Sequence, residues 1–272
     1  MPKITVNDIA INYELDGRGK EVLVILSGIM MSTASWTEHV PFFTRSGLRV
    51  LRMDFRDQGQ SGRSQKPYTI HQHVEDLKAL LTALDIEKAH LHGISYGGQA
   101  ALLFALKYPQ SVQSLIIANA LARLTKNLTS IGDSWAEAAR LKDGRRFFRL
   151  VMPTIYSNFF IESHWDWLKE REALFGELLT EDWFDGYLRL AASLKDYDIL
   201  EDLERITAPT LLLASDRDAV TPVEEIRAIR DRIPNSRFLL IPDCGHAACY
   251  EKMEEYILAI LGFITLLKGE AQ

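Results

Sequence analysis

Short runs of apolar residues, separated by polar or turn-forming residues, open the chain. The stretches "KITV" and "INYEL" alternate apolar and polar positions on either side of Asn7-Asp8, which predicts a pair of strands. The runs "EVLVILSG" and "LRVLRMDF" are apolar almost throughout, as buried strands are. A helix is predicted between these two runs, from about Ser35 to Thr44.

A regular alternation of helix and strand follows. In "TIHQHVEDLKALLTALDI" the apolar residues recur at helical spacing. The strand "KAHLHG", the apolar helix "YGGQAALLFALKYP" and the strand "VQSLIIANA" come next. Because the connections are long enough for parallel crossovers, the pattern predicts an α/β sheet with helices on both faces.

The alternation stops after about Ala122. Residues 123–200 contain no convincing strand, yet their helical stretches hold half of the chain's aromatic residues. Strand and helix then alternate again in "APTLLLAS", "PVEEIRAIRDRI", "SRFLLIP" and "EKMEEYILAILGFITLL". We therefore expect a core formed by residues 1–122 and 201–272, with residues 123–200 inserted as a helical cap between two strands.

Composition narrows the function classes. The 272 residues are 47% hydrophobic and 25% charged, with a net charge of −6, which is typical of a globular protein. No basic patch is evident, so nucleic acid and membranes are not expected as partners. The N-terminal residues do not resemble a signal peptide, and Cys244 and Cys249 are too few for a disulfide framework. These features predict a cytoplasmic location and a small-molecule partner, and they leave the oligomeric state open.

A serine between glycines is the first candidate for chemistry. The sequence Gly93-Ile94-Ser95-Tyr96-Gly97 lies between a predicted strand and a predicted helix. A nucleophile elbow needs this context, because small neighbours allow a sharp turn that presents the serine hydroxyl. We predict that Ser95 is a nucleophile. The alternative is a structural serine in a glycine-rich turn.

A serine nucleophile needs a base, and the base needs an orienting acid. His246 lies in "IPDCGHAACYE", on the predicted loop before the last helix, and is the best base among the histidines. In "LLLASDRDAVTP" both Asp216 and Asp218 follow a strand, and we favour Asp218 as the acid. The order serine, aspartate, histidine is that of the α/β-hydrolase triad. Three possible soft ligands, Cys244, His246 and Cys249, are too few and too closely spaced to predict a metal site.

Four stretches, which are in chain order "DFRDQGQSG", "GISYGG", "ASDRDAVTP" and "GHAACYE", resemble the α/β-hydrolase family along nearly the whole chain. The resemblance implies a mostly parallel eight-stranded sheet with a helical cap inserted after the sixth strand. It also implies an oxyanion hole formed by the backbone N–H groups of Ile29 and Tyr96. Two positions depart from the family pattern: Ser27 stands where histidine is common, and Asp57 stands where glycine is common.

The predicted activity is acyl transfer through Ser95 to water, on an ester or thioester of a small hydrophobic molecule. No cofactor and no metal are expected. Met30, Met31 and Met152 are predicted as possible pocket residues. Two alternatives stay open. One is an acyltransferase of hydroxyacyl groups, to which the stretches "GIMMSTASW" and "LEDLERI" are similar. The other is a small-molecule receptor that retains the triad.

Overall fold

A single eight-stranded sheet forms the centre of the protein, as seen in a computed structural model that describes residues 2–270. The order across the sheet is β1-β2-β4-β3-β5-β6-β7-β8. The strands are β1 (Lys3–Val6), β2 (Ile9–Asp16), β3 (Val22–Leu26), β4 (Arg49–Met53), β5 (Ala89–Ile94), β6 (Val112–Ala118), β7 (Thr210–Ser215) and β8 (Ser236–Ile241).

Most neighbouring strands run parallel. The strand β2 runs antiparallel to both of its neighbours, β1 and β4, and the other strand pairs of the described sheet are parallel. The predicted first hairpin is therefore confirmed. All residues of β3, β5 and β7 are buried, which is expected where helices cover both faces of a parallel sheet. The predicted mostly parallel eight-stranded sheet is therefore confirmed.

Helices cover both faces of this sheet and also form a separate group between β6 and β7. The α-helices are α1 (Val40–Arg45), α2 (His71–Ala83), α3 (Tyr96–Lys107), α4 (Lys126–Arg140), α5 (Gly144–Ile155), α6 (Asn158–Ser163), α7 (Trp165–Leu178), α8 (Glu181–Ala192), α9 (Val223–Arg232), α10 (Ala248–Glu251) and α11 (Met253–Glu270). Short 3₁₀ helices cover Thr33–Trp36, Pro109–Ser111 and Glu201–Arg205.

The predicted helix from Ser35 to Thr44 is wrong in its extent. The chain instead forms the 3₁₀ turn Thr33–Trp36 and then the separate helix α1. Pro41 lies in the first turn of α1, where its missing N–H breaks no helical hydrogen bond. Within a continuous helix from Ser35, the same proline would lack a bond to the preceding turn.

Five helices, α4 to α8, make up what we call the helical insert, residues 123–200. An isolated antiparallel bridge pairs Arg123 with Asp198, so the insert leaves the sheet and returns to it at one place. Four of its helices begin at a side-chain cap, because Thr125, Asp143, Ser157 and Thr180 each accept a hydrogen bond from a backbone N–H of the first turn. Most of its aromatic residues lie in two apolar clusters inside the insert, whereas Phe159 and Trp165 are exposed.

Candidate active site

Ser95 lies at the sharp junction between β5 and α3. Its backbone has φ 53°, a left-handed conformation that is unusual for a residue other than glycine. The turn also brings α3 against β3, because a Cβ added to Gly97 would lie 2.1 Å from the carbonyl oxygen of Leu26. Only glycine fits there. The half-buried Ser95 hydroxyl is thus held at the carboxyl end of the central strands.

His246 and Asp218 complete a line of hydrogen bonds with Ser95. The distance from Ser95 Oγ to His246 Nε2 is 2.9 Å, and from His246 Nδ1 to Asp218 Oδ2 it is 2.8 Å. The carboxylate can only accept, so it holds the proton of the imidazole on Nδ1 and leaves Nε2 free to accept from the serine. The structure therefore brings together all three residues that were predicted as catalytic.

Asp218 is fully buried and receives several hydrogen bonds. Besides His246, the donors are the backbone N–H groups of Val220 and Thr221, the Thr221 hydroxyl and the Asn119 amide. Burial acts to raise the pKa of the Asp218 carboxyl, but the charge and hydrogen bond of His246 and the bonds from Thr221 outweigh it and lower the pKa overall. The carboxylate form is therefore favoured. Asp216, the other predicted possibility, accepts instead from the backbone N–H of Cys244.

The loop that carries His246 is held by the helical insert. The His246 backbone N–H donates to the carbonyl of Ile155 over 2.8 Å. The Glu251 carboxylate accepts from the Gly245 N–H and from both the N–H and the hydroxyl of Ser157. Burial raises the pKa of Glu251 despite these bonds. Sequence reasoning missed this role, although Glu251 lies in the "GHAACYE" stretch.

The turn after β3 lies beside Ser95. A Cβ added to Gly28 would be 3.6 Å from the Ser95 Cβ. The backbone N–H groups of Ile29 and Tyr96, predicted as oxyanion donors, make no hydrogen bond within residues 2–270. Both residues line the space above Ser95.

Two side chains fix this turn. Gln58 Nε2 donates to the Gly28 carbonyl over 2.7 Å, which orients the peptide that bears the Ile29 N–H. Ser27, at the position where the resemblance leads one to expect histidine, accepts from the indole N–H of the buried Trp36. Gln58 was not predicted, and its only sequence signal is its place in "DFRDQGQSG".

The backbone of Asp57 has a conformation that favours glycine, which is why glycine is common at this position in the family that the sequence resembles. Its φ is 66°, which glycine adopts without strain and aspartate tolerates better than most residues. The side chain then forms a bidentate ion pair with Arg189 of α8, with Nη2 2.6 Å from Oδ1. The Asp57 side chain therefore links the loop after β4 to the helical insert.

Two chambers open from Ser95. The larger, about 460 Å³, extends between the sheet and the insert and is lined mainly by apolar residues of both. The smaller, about 120 Å³, reaches His246 and the turn after β3. Ile29, Ser95 and Trp135 line both chambers, so they lie where the two meet.

The predicted pocket methionines are divided between the chamber wall and the protein interior. Met30 and Met31 line the smaller chamber. Met152 lines neither chamber, and this placement corrects its prediction as a pocket residue. It lies on the buried face of α5 and packs with Phe148, Phe160 and Leu168 inside the insert. The 3.6-residue helical period, not the residue type, decides which face a side chain covers.

The described residues contain no group of three or more histidine, cysteine or acidic side chains arranged to hold a metal ion. Cys244 and Cys249 are both buried, and burial raises the pKa of the Cys244 thiol to about 12. Thiols in this state are poor metal ligands. Within the same residues, no helix combines the length and apolar character needed to cross a membrane.

Comparison with known proteins supports the resemblance read from the four motifs. The family model for the alpha/beta hydrolase fold matches residues 21–253. The chain belongs to the α/β-hydrolase family. The predicted fold is thereby confirmed.

Several members of this family are similar over almost the full chain. A putative carbamate hydrolase, RutD, from Caulobacter sp. is 28% identical over 93% of this chain and 92% of its own. The 3-oxoadipate enol-lactonase 2 of Acinetobacter baylyi is 26% identical over 94% of each chain. The crystal structure of the alpha/beta hydrolase enzyme MGS-M2, from a Medee basin deep-sea metagenome library, has a TM-score of 0.93, 38% identity and 97% coverage of both chains. Their similarity to this chain supports its assignment as a hydrolase.

Proposed function

We propose that the protein is a serine hydrolase that cleaves an ester- or thioester-type acyl bond of a small, hydrophobic substrate. The observation that carries the proposal is the continuous line of hydrogen bonds from the Ser95 hydroxyl through His246 to Asp218, at 2.9 and 2.8 Å. These distances are those that nucleophile activation requires. The similar proteins include an enol-lactonase, which agrees with acyl chemistry.

In the proposed first half-reaction, Ser95 Oγ attacks the carbonyl carbon of the substrate while His246 Nε2 takes the hydroxyl proton. Asp218 stabilises the imidazolium that forms. The negative charge that develops on the carbonyl oxygen is received by the N–H groups of Ile29 and Tyr96. The intermediate then expels the alcohol or thiol, which leaves with the proton from His246, and the acyl group remains on Ser95.

In the second half-reaction, a water molecule attacks the acyl carbon and His246 takes its proton. Collapse of the second tetrahedral intermediate releases the acid and returns the proton to Ser95 Oγ. Because His246 must accept a proton at each attack, only its neutral form is active. The Asp218 carboxylate keeps that neutral imidazole in the tautomer with the proton on Nδ1.

The larger chamber supports a hydrophobic substrate group. Its lining includes leucine side chains from the segment after β6 and from the helical insert, such as Leu121, Leu128 and Leu194. Burial of each methylene group there contributes about 0.8 kcal/mol to binding. We propose that the helical insert acts as a cap domain, since α4 and α8 form much of the chamber wall above Ser95.

The experiment compares hydrolysis of p-nitrophenyl acyl esters by the wild type and by Ser95→Ala, with Ser134→Ala as control. Ser134 is an exposed residue of α4 and should have no effect. We expect S95A to lose roughly three or more orders of magnitude in kcat, because removing a triad nucleophile leaves only binding and the oxyanion hole. Near-normal turnover by S95A would refute the proposal.

The alternative that the protein is an acyltransferase is tested by adding an alcohol to the assay. Under the proposed function, the free acid is the main product when the alcohol is present at millimolar concentration. If the transesterified product dominates under those conditions, the chain is an acyltransferase instead.

A further inference from the structure

Arg171 of α7 lines the smaller chamber that also reaches Ser95 and His246. The residue is half-buried. Its guanidinium carbon lies 4.5 Å from the centre of the Trp167 ring and 5.1 Å from that of Tyr250. These distances are within the range of cation–π attraction. Two aromatic rings, one from the insert and one from α10, therefore hold the cation at the chamber wall.

The hydrogen-bond donors of Arg171 have no partner among residues 2–270. Neighbouring cations of the insert have carboxylate partners: Arg149 and Lys169 both pair with Glu172, and Arg189 pairs with Asp57. Within residues 2–270, Arg171 forms no ion pair and no hydrogen bond. Contact with the ring faces leaves the N–H groups at the edge of the guanidinium plane free. Two of these five donors can bind the two oxygens of a carboxylate at the same time.

The described residues that line the smaller chamber include no carboxylate partner for the Arg171 charge. Among the described residues, Arg171 is the only lysine, arginine, aspartate or glutamate that lines it. The nearby carboxylate of Glu251 is occupied by Ser157 and Gly245, and that of Asp218 by His246 and Thr221. An anion that entered the chamber would therefore meet one cation, no fixed negative charge on the wall and a largely apolar lining.

We propose that Arg171 binds a carboxylate of the substrate, so that the site takes an ester, thioester or lactone with a carboxylate on one side of the scissile bond and an apolar group on the other. The proposal rests on the proposed function and names its substrate class. A volume of about 120 Å³ equals roughly four water molecules, which leaves space for a carboxylate on a short linker. The apolar group then occupies the larger chamber.

The test uses pairs of substrates that differ by one charge. The pair 3-carboxyphenyl hexanoate and 3-carbamoylphenyl hexanoate places the charge on the leaving group. The monophenyl ester of adipic acid and its terminal amide place the charge on the acyl group. The quantity measured is the ratio of kcat/KM for the carboxylate to that for the amide, in the wild type, Arg171→Met, Arg171→Lys and the control Arg146→Met. Arg146 is an exposed arginine of α5, so its replacement removes the same charge from the insert.

We expect the wild type to prefer the carboxylate in one of the two pairs. R171M should lower that ratio by roughly 30-fold or more, mainly through KM, because it removes hydrogen bonds to a charged group. R171K should keep part of the preference, and R146M all of it. The amide substrates should change by less than about threefold in R171M, which keeps the apolar stem.

The outcome separates this inference from the proposed function. If hydrolysis depends on Ser95 but R171M leaves both ratios unchanged, or lowers carboxylate and amide rates equally, Arg171 only packs between the rings and the inference is overturned. Binding of adipate and of its monoamide to Ser95→Ala and to the double variant with Arg171→Met, measured by calorimetry, needs no turnover. Preference for adipate that disappears with Arg171 supports the inference even if Ser95 is not the nucleophile, and its absence contradicts it.

Discussion

Replacing Arg189 by methionine should destabilise the whole fold, although the residue lies outside the line of hydrogen bonds at Ser95. The Asp57 carboxylate is fully buried, whereas the Arg189 side chain is 30% exposed. Arg189 donates to both carboxylate oxygens, with distances of 2.6 to 3.1 Å. The backbone N–H of Ser64 then remains as a donor to Asp57 in the R189M variant.

The expected loss follows from leaving a buried carboxylate without its counter-charge. Breaking a fully buried ion pair from one side costs about 3–5 kcal/mol, and the partial exposure of Arg189 places this pair near the lower end, at about 3 kcal/mol. The helix α8 also touches the loop directly, because a Cβ at Gly186 would lie 2.7 Å from the Asp57 carbonyl oxygen. Little room therefore exists for water to enter and solvate the carboxylate.

A double-mutant cycle measures this coupling. Urea unfolding is followed for the wild type, Arg189→Met, Asp57→Asn and the double variant. D57N keeps an acceptor for Ser64 and should lose about 1–2 kcal/mol. In the double variant no buried charge is left unpaired, so its loss should fall short of the sum of the single losses by about 2 kcal/mol. For R189M, 3 kcal/mol corresponds to a fall in Tm of about 6–12 °C.

Additivity of the two single losses would refute this reasoning, as would an R189M variant within about 0.5 kcal/mol of the wild type. In either case the contact between Asp57 and Arg189 does not contribute to joining the insert to the sheet. Arg63→Met is the matched control, since Arg63 pairs with Asp182 of α8, which is 64% exposed. Loss of such an exposed pair should cost less than about 1 kcal/mol.

Three further predictions test the parts of the site. Gln58→Leu frees the Gly28 carbonyl and should lower kcat by roughly tenfold at nearly unchanged KM, since an oxyanion donor acts chiefly in the transition state; a change confined to KM would contradict the role of Gln58. Gly97→Ala should yield no active folded protein, because its Cβ would lie 2.1 Å from the Leu26 carbonyl oxygen; circular dichroism and ester hydrolysis check this, and a native-like active variant would contradict it. Burial raises the pKa of Glu251, so the Glu251 carboxylate binds a proton more readily in the native state than in the unfolded chain. The contribution of Glu251 to stability therefore falls as the pH rises from the unfolded pKa through the folded pKa. Relative to Glu251→Gln, the free energy of unfolding of the wild type should therefore increase as the pH is lowered from 7 to 5. An opposite trend in urea unfolding would show that the pKa is not raised.

Local pattern and chain order were sufficient to predict an α/β sheet with helices on both faces, and they singled out three residues that the structure brings together at Ser95. The glycines around Ser95 require a sharp turn, and the predicted strands before Asp218 and His246 place all three side chains at one edge of a parallel sheet. The motif "DFRDQGQSG" drew attention to Asp57 without explaining it, because its partner Arg189 is 132 residues away and nothing local in either stretch indicates the pairing. The same is true of Glu251 and Ser157, which meet only after the insert has folded onto the His246 loop.

Side-chain direction within the insert was beyond sequence reasoning for a different reason. On α5 one apolar face supplies both kinds of residue, since Val151 and Ile155 line the smaller chamber while their neighbour Met152 does not, so residue type did not distinguish the interior from the chamber wall. Met152 was predicted as a pocket residue and packs in the interior, whereas Arg171, a charged residue, lines the smaller chamber. The break in the predicted helix before Val40 was readable from the missing N–H of Pro41, although apolar spacing alone did not show it.

The central claim is that Ser95 Oγ forms a covalent acyl intermediate with His246 as its base. The most direct measurement is mass spectrometry of the protein after reaction with a fluorophosphonate probe, followed by identification of the labelled peptide. We predict stoichiometric labelling of Ser95 in the wild type, much slower labelling in His246→Ala and none in Ser95→Ala. Rapid labelling at another residue, or labelling of Ser95 at the same rate without His246, would contradict the account.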